Sequence, residues 1–242
     1  MTIKQSIAVS AAALMLLACK SNTNMNTNTL NLTREWDKTF PKSELVSHSK
    51  VTFHNRYGIE LAADMYVPKN AEGKLPAIAV SGPFGAVKEQ SSGLYAQHMA
   101  ERGFLTIAFD PSYTGESGGE PRRMASPDIN TEDFLAAVDF LSTCDLVDPV
   151  CIGIIGICGF GGMAINAAAL DPRIKATATS TMYDMSKVNM EGYFASEDTP
   201  AQRMEKRKAL AAQRTKDYAS GTYERAGGVI DPLPEDAPWF VR

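Results

Sequence analysis

From Lys50 to Thr181 the chain switches between two rhythms, short apolar or alternating runs and longer stretches with apolar positions three to four apart. Lys50 to His54 and Ile59 to Val67 alternate around Asn55-Arg56-Tyr57-Gly58, which predicts an antiparallel hairpin. Pro76 to Ser81 (PAIAVS), Phe104 to Phe109 (FLTIAF) and Val150 to Ile157 (VCIGIIGI) are compact apolar runs, as expected of strands covered on both faces. Ile174 to Thr181 (IKATATST) reads as a further parallel strand. Helical patterns lie between them. Glu89 to Arg102 carries Tyr95 and Met99 on one face and meets Gly103. Thr131 to Leu141 aligns Phe134, Val138 and Leu141, with Asn130 as its expected cap. An alanine-rich pattern runs to Leu170 and stops at Asp171-Pro172. Strands alternating with helices predict an α/β fold, a mostly parallel sheet flanked by helices with an antiparallel start.

The ends follow other patterns. Lys4 precedes the small-and-apolar run Ile7 to Ala18, the layout of a secretory signal. Its close, Leu16-Leu17-Ala18-Cys19, resembles a bacterial lipobox, which implies lipidation of Cys19 and a membrane tether that does not span the bilayer. Lys20 to Thr33 is mostly Ser, Asn and Thr, too polar to bury surface, and is expected to be a flexible tether. The organisation expected is therefore 1–19 signal, 20–33 tether and 34–242 domain. Thr199 to Ala219 is a charged helical pattern with a thin apolar face. A solvated helix is the first expectation, and a basic face resting on anionic lipid the second.

Composition narrows the function classes. With 242 residues, 44% of them hydrophobic, the chain has enough for one domain with a substantial core. A net charge of -4 gives no reason to expect a nucleic-acid partner. No metal-ligand spacing or phosphate-binding glycine loop is present, so no cofactor is implied. Of the four cysteines, Cys144 and Cys151 flank a short loop, and their spacing permits a disulfide without requiring one. That would leave Cys158 as a free, reactive thiol.

Val150 to Leu170 carries the chemistry. An apolar strand, a tight turn at Cys158 and a helix place the thiol at the carboxyl edge of a sheet, where open α/β folds bind ligands. Gly156 and Gly159 relieve crowding there, and the helix N-terminus favours negative charge on the sulfur. A buried cysteine in a glycine-bordered turn is the plain alternative. The stretch resembles the nucleophile elbow of the α/β hydrolases, in the Cys-containing form of the dienelactone-hydrolase-like branch. It departs at Phe160, where a small residue is usual, and at Gly161-Gly162, which come one place late. The resemblance implies an oxyanion hole from the N–H groups of Gly159 and of the loop Gly82-Pro83-Phe84-Gly85. Pro83 has no N–H, so Phe84 is the candidate. Asp110, ahead of Gly115 and Ser117, is expected to tie its loop through backbone N–H groups. Asp184, just past the Ile174 strand, is a possible acid.

The resemblance also implies an acid and then a histidine after the nucleophile. The three histidines, His48, His54 and His98, all precede Cys158, and six strands stand where the family has eight, the last two missing. The expectation is a C-terminally truncated hydrolase domain. Its activity would be hydrolysis of an ester, lactone or thioester through a Cys158 acyl-enzyme, impaired for want of the base. Small-molecule esters or thioesters would be its partners, and the exported side of a bacterial envelope its location. A non-catalytic envelope binding module, or a thiol sensor at Cys158, are the alternatives.

Overall fold

The computed structural model describes residues 30–191 and 199–225. The expected signal, the expected lipidation residue Cys19 and most of the expected tether therefore lie outside the described residues. Six strands form one sheet: β1 (Val46–His54), β2 (Glu60–Pro68), β3 (Leu75–Ser81), β4 (Leu105–Phe109), β5 (Val147–Ile157) and β6 (Ile174–Ser180). Their spatial order is β1-β2-β4-β3-β5-β6. β1 pairs antiparallel with β2 and β2 antiparallel with β4, while β3/β4, β3/β5 and β5/β6 are parallel. The helices are α1 (Ser91–Ala100), α2 (Pro127–Ser142), α3 (Phe160–Leu170), α4 (Met185–Glu191) and α5 (Pro200–Ser220). This is the expected α/β architecture, an α/β-hydrolase fold.

Alternation along the strands divides the core in two. Leu61, Ala63, Met65, Ala77, Ala79, Ile107, Ile152 and Ile154 face one side and pack with Phe134, Val138 and Leu141 of α2 and Met163, Ala164 and Ala167 of α3. Tyr66, Ile78, Val80, Ala108, Ile155 and Ile157 face the other, against Ala96 and Ala100 of α1. Helices on both faces are what the continuous apolar strands require.

One local expectation is corrected, and one open alternative is settled. Asn130 does not cap α2. The helix starts a turn earlier at Pro127, whose fixed φ and missing N–H suit a first helical position, and Ser126 accepts from the N–H of Ile129. Asn130 instead accepts from the N–H of Ser126 and donates to Asp133 at 3.0 Å. Cys144 and Cys151 are not joined: Cys151 is a free, exposed thiol at the outer start of β5, and Cys144 is buried under α2.

The chain divides into two compact bodies, one ending at Tyr183 and one beginning at Asp184. In the second, α5 opens with a capping box between Thr199 and Gln202, closes on Gly221 at φ +68°, and buries no side chain. No described helix is long and apolar enough to cross a membrane.

Candidate active site

β5 leads into α3 through Cys158 and Gly159, and the backbone at Cys158 has φ +57°. A left-handed conformation at a non-glycine residue costs about 1–2 kcal/mol, so the surroundings must hold it. Three hydrogen bonds do so. The Cys158 N–H donates to Ser180 O at 2.9 Å, and its carbonyl accepts from Gly161 at 3.0 Å and Tyr183 at 3.3 Å. The thiol is half-buried at the carboxyl end of β5.

The glycine two places earlier is required by space. A Cβ on Gly156 would lie 2.4 Å from the Phe160 carbonyl oxygen and 2.7 Å from Ala164 Cβ. The start of α3 thus presses on the end of β5. Gly161 is held likewise, with a Cβ there 2.7 Å from Met182 Cγ. Phe160, the departure from the usual elbow pattern, is only 2% exposed. Its ring lies 5.1 Å from Phe84 and 6.4 Å from Phe134, which meets Phe109 edge-on at 5.2 Å. A larger residue at this place anchors the elbow to the core.

The loop after β3 runs against the elbow. Gly82 has φ +98°, and a Cβ there would sit 2.4 Å from the Ile157 carbonyl oxygen and 2.7 Å from Phe160 Cβ. The Gly82–Pro83 bond is cis, and Ala86 donates to Pro83 O at 3.2 Å. Among the described residues, neither the Phe84 N–H nor the Gly159 N–H is taken up by a protein acceptor.

Behind this loop lies a buried set of charges that sequence reasoning missed apart from Asp110. Lys88 and Glu89 are fully buried, as are Asp110 and Asp64. Lys88 Nζ contacts Glu89 at 2.6 Å, Glu116 at 2.7 Å and Asp110 at 2.8 Å. Lys50 of β1 reaches Glu116 at 2.5 Å, and Lys38 reaches Asp37 at 2.7 Å and Asp64 at 3.0 Å. His48 Nε2 lies 2.8 Å from Asp64 Oδ1, its ring set against Trp36 and Tyr66. Burial alone would lower the Lys88 pKa, but Asp110, Glu89, Asp64 and Glu116 together raise it, so the ammonium stays charged. Burial pushes Glu89 up, with Asp110 adding to it. Burial also pushes Glu116 up, but Lys88 and the hydrogen bonds from Lys50, Lys88 and Thr33 outweigh it and bring it down to about 2. Asp37, Glu89 and Glu116 offer oxygens within 4.8 Å of one another. The three ammonium groups already bridge them, so the cluster is an ion-pair network and not a metal cage.

Asp110 ties its loop as expected. Its carboxylate accepts from the N–H groups of Lys88 at 2.7 Å and Glu116 at 2.9 Å, and its carbonyl from Ser117 Oγ at 2.7 Å. Gly115 closes over it, since a Cβ there would fall 2.2 Å from Asp110 Oδ2. Arg122 seals the turn from outside by donating to the carbonyls of Gly115 at 2.6 Å and of Ser117.

The histidines stand apart from Cys158. His48 is on β1, four strands from β5, roughly 19 Å at the usual strand spacing. His54 ends β1. His98, on α1, is half-exposed and bonded to Glu101 at 2.9 Å. One turn earlier, Tyr95 OH lies 3.1 Å from Ser180 Oγ, on the residue whose carbonyl receives the Cys158 N–H. Asp184 begins the second body. It accepts from Ser186 Oγ at 2.6 Å and Lys187 N at 3.0 Å, which caps α4 and draws its pKa down.

Known proteins share this fold. The chain is 62% identical over 225 residues to the protein PA2218 of Pseudomonas aeruginosa, covering 89% of this chain and 60% of that protein. The crystal structure of PA2218 superposes with a TM-score of 0.78 over 84% of this chain and 65% of the other. A protein of Aspergillus aculeatus named thiohydrolase aneE is 32% identical over 176 residues, 72% of this chain and 52% of its own length. The structure of DcsB in complex with its substrate analogue is 26% identical, with a TM-score of 0.60 over 72% of this chain and 54% of that one. The chain thus spans between half and two-thirds of the length of these relatives. The model of the X-Pro dipeptidyl-peptidase (S15) family matches residues 57–229. With a family match and a sheet order that coincide over the same residues, the chain belongs to the S15 family of the α/β-hydrolase superfamily.

Proposed function

We propose that Cys158 is an acyl acceptor. Its thiolate attacks the carbonyl carbon of an ester or thioester, and the N–H groups of Phe84 and Gly159 hold the oxyanion. The observation that carries this is the φ of +57° at Cys158 between a strand and a helix that leave no room for a side chain at residue 156. A strained, hydrogen-bonded turn displays its side chain at the sheet edge, which a merely packed cysteine does not need. Relatives named thiohydrolases support a thioester among the substrates.

The second half of the reaction is the weak one. Expulsion of an alkoxide needs a proton, and attack of water on the acyl-thioester needs a base. No histidine follows Cys158, and those present lie on β1 and α1. The step the described residues support is transfer of one acyl group from an activated donor to Cys158, and that step is the one to test. The p-nitrophenolate of p-nitrophenyl acetate leaves without a proton, whereas the ethoxide of ethyl acetate does not. A burst of one equivalent of p-nitrophenolate, absent in Cys158→Ala and absent with ethyl acetate, is the expected result. A burst equal in the alanine variant sinks the proposal.

Export and tethering through Cys19 belong to the same proposal, supported by the Lys4 to Cys19 pattern. Labelled palmitate should enter the protein in bacterial cells and be lost in Cys19→Ala.

A further inference from the structure

The charges behind the oxyanion loop are arranged as a clasp. The loop has two fixed points. At Gly82 it presses on the elbow, with no room for a Cβ. At Lys88 the backbone N–H donates to Asp110 Oδ1 at 2.7 Å while the ammonium of the same residue donates to Asp110 Oδ2 at 2.8 Å. Phe84 lies between these two points. One carboxylate, at the end of β4, thus receives both the main chain and the side chain of the residue that ends the loop.

That carboxylate is also held. The Glu116 N–H donates to Asp110 Oδ2 at 2.9 Å, and Gly115 packs against the carboxyl group. Lys88 continues to Glu89 and Glu116, and Glu116 to Lys50 on β1. The loop after β3 is therefore bonded, through one buried lysine, to the loop after β4 and to the hairpin. Charge-assisted bonds in a buried setting are short and directional, so they set a geometry more than they add stability.

We propose that Lys88 and Asp110 are positioning residues, which fix the Phe84 N–H at the distance from Cys158 that an oxyanion requires. The inference rests on Cys158 being an acyl acceptor. Neither residue touches the substrate. Their effect reaches it through six residues of loop whose other end is locked on the elbow. An oxyanion donor displaced by about 1 Å loses roughly 100-fold in rate. A reaction at the same sulfur that builds no oxyanion should not respond. Alkylation by iodoacetamide is such a reaction: the thiolate forms an S–C bond, iodide leaves, and no tetrahedral carbon-oxygen intermediate exists.

The test compares two rates on the full chain, acetylation by p-nitrophenyl acetate and alkylation by iodoacetamide, both read by mass at Cys158. Asp110→Asn keeps the side chain's shape and one acceptor oxygen while removing the charge. It should slow acetylation about 100-fold and leave alkylation within roughly threefold. Lys88→Met should do the same where it folds. It leaves Glu89, Asp110 and Glu116 without their shared cation, so Asp110→Asn is the deciding variant. Asp133→Asn, an equally buried carboxylate bonded to Asn55, Ser112 and Asn130, serves as the control for loosening in general. An Asp110→Asn protein with the wild-type ratio of the two rates overturns the clasp, as does an Asp133→Asn protein with the same loss of ratio. A wild-type chain that is alkylated but never acetylated overturns the acyl-acceptor reading itself, and the clasp's role with it. The two failures are thus told apart in the wild-type lane.

Discussion

The two flanks of Cys158 are built differently. On one side, the loops after β3 and β4 are locked to each other by buried ion pairs, backbone bonds to Asp110, and a chain of aromatic rings from Phe84 to Phe109. On the other, β6 pairs with β5 through its backbone, yet five of its seven residues are exposed. The thiol therefore sits between a rigid wall and an open one. Oxyanion chemistry calls for rigidity on the loop side, where donors must not move. The β6 side contributes two backbone hydrogen bonds, from the Cys158 N–H to Ser180 O and from the Tyr183 N–H to Cys158 O. The difference teaches that, among the described residues, side-chain charges and aromatic rings brace the loop side, while β6 meets β5 through its backbone.

That contrast can be broken from either side. The largest effect should come from Phe134→Ala, which removes the ring between Phe109 and Phe160 beneath the elbow. A loss of about 4 kcal/mol in urea unfolding is expected, and a loss below about 1 kcal/mol would mean the aromatic chain does not brace the wall. Gly156→Ala comes next, at about 3 kcal/mol, since its Cβ would meet the Phe160 carbonyl oxygen at 2.4 Å. It should also abolish acylation of Cys158, because either β5 or α3 must move.

Glu116 gives a pH signature for the charged wall. Its carboxyl pKa is brought from 4.5 to about 2 in the folded chain. The stability it contributes is therefore fully present above about pH 4.5 and is lost as pH falls towards 2. Glu89 moves the opposite way. Its pKa is raised, so its contribution is fully present below 4.5 and declines as pH rises above that value. Glu116→Gln should flatten the acid limb of a urea-midpoint profile between pH 5 and pH 3. An unchanged slope would show that Glu116 is not paired with Lys88 and Lys50 in solution. The smallest effect belongs to the open side. Thr177→Val, exposed on β6, should change stability by no more than about 0.5 kcal/mol. A cost above about 1 kcal/mol would show that β6 is covered in solution and the contrast is false.

Much of this frame was legible in the sequence, and the unread parts share a cause. All six strands were visible because each is a short run of apolar or alternating residues, and sheets impose that pattern directly. The tight turn at Cys158 and the glycine required at 156 were legible because a strand-to-helix turn is a local device, set by residues within six positions. The ends of elements were read less well. β5 begins at Val147, before Pro149, because Val147 still pairs with Leu75 across a register shift. α4 has seven residues and no apolar period to reveal it. Asn130 looked like a cap because it precedes an apolar face, but Ser126-Pro127 is the stronger start. The ion-pair network was hidden for a different reason. Lys88 and Glu116 are 28 positions apart, and Lys50 and Glu116 are 66 apart. A lysine followed by a glutamate reads as surface, and only the crossing of three elements shows that the pair is buried.

The measurement that tests the account most directly is the mass of the full chain, and of its Cys158 peptide, after mixing with an acetyl thioester. One acetyl group per chain is expected, located on Cys158, persistent over the time course, and missing in Cys158→Ala. A chain that remains unmodified while its Cys158 is freely alkylated, or that carries its acetyl group elsewhere, would contradict it.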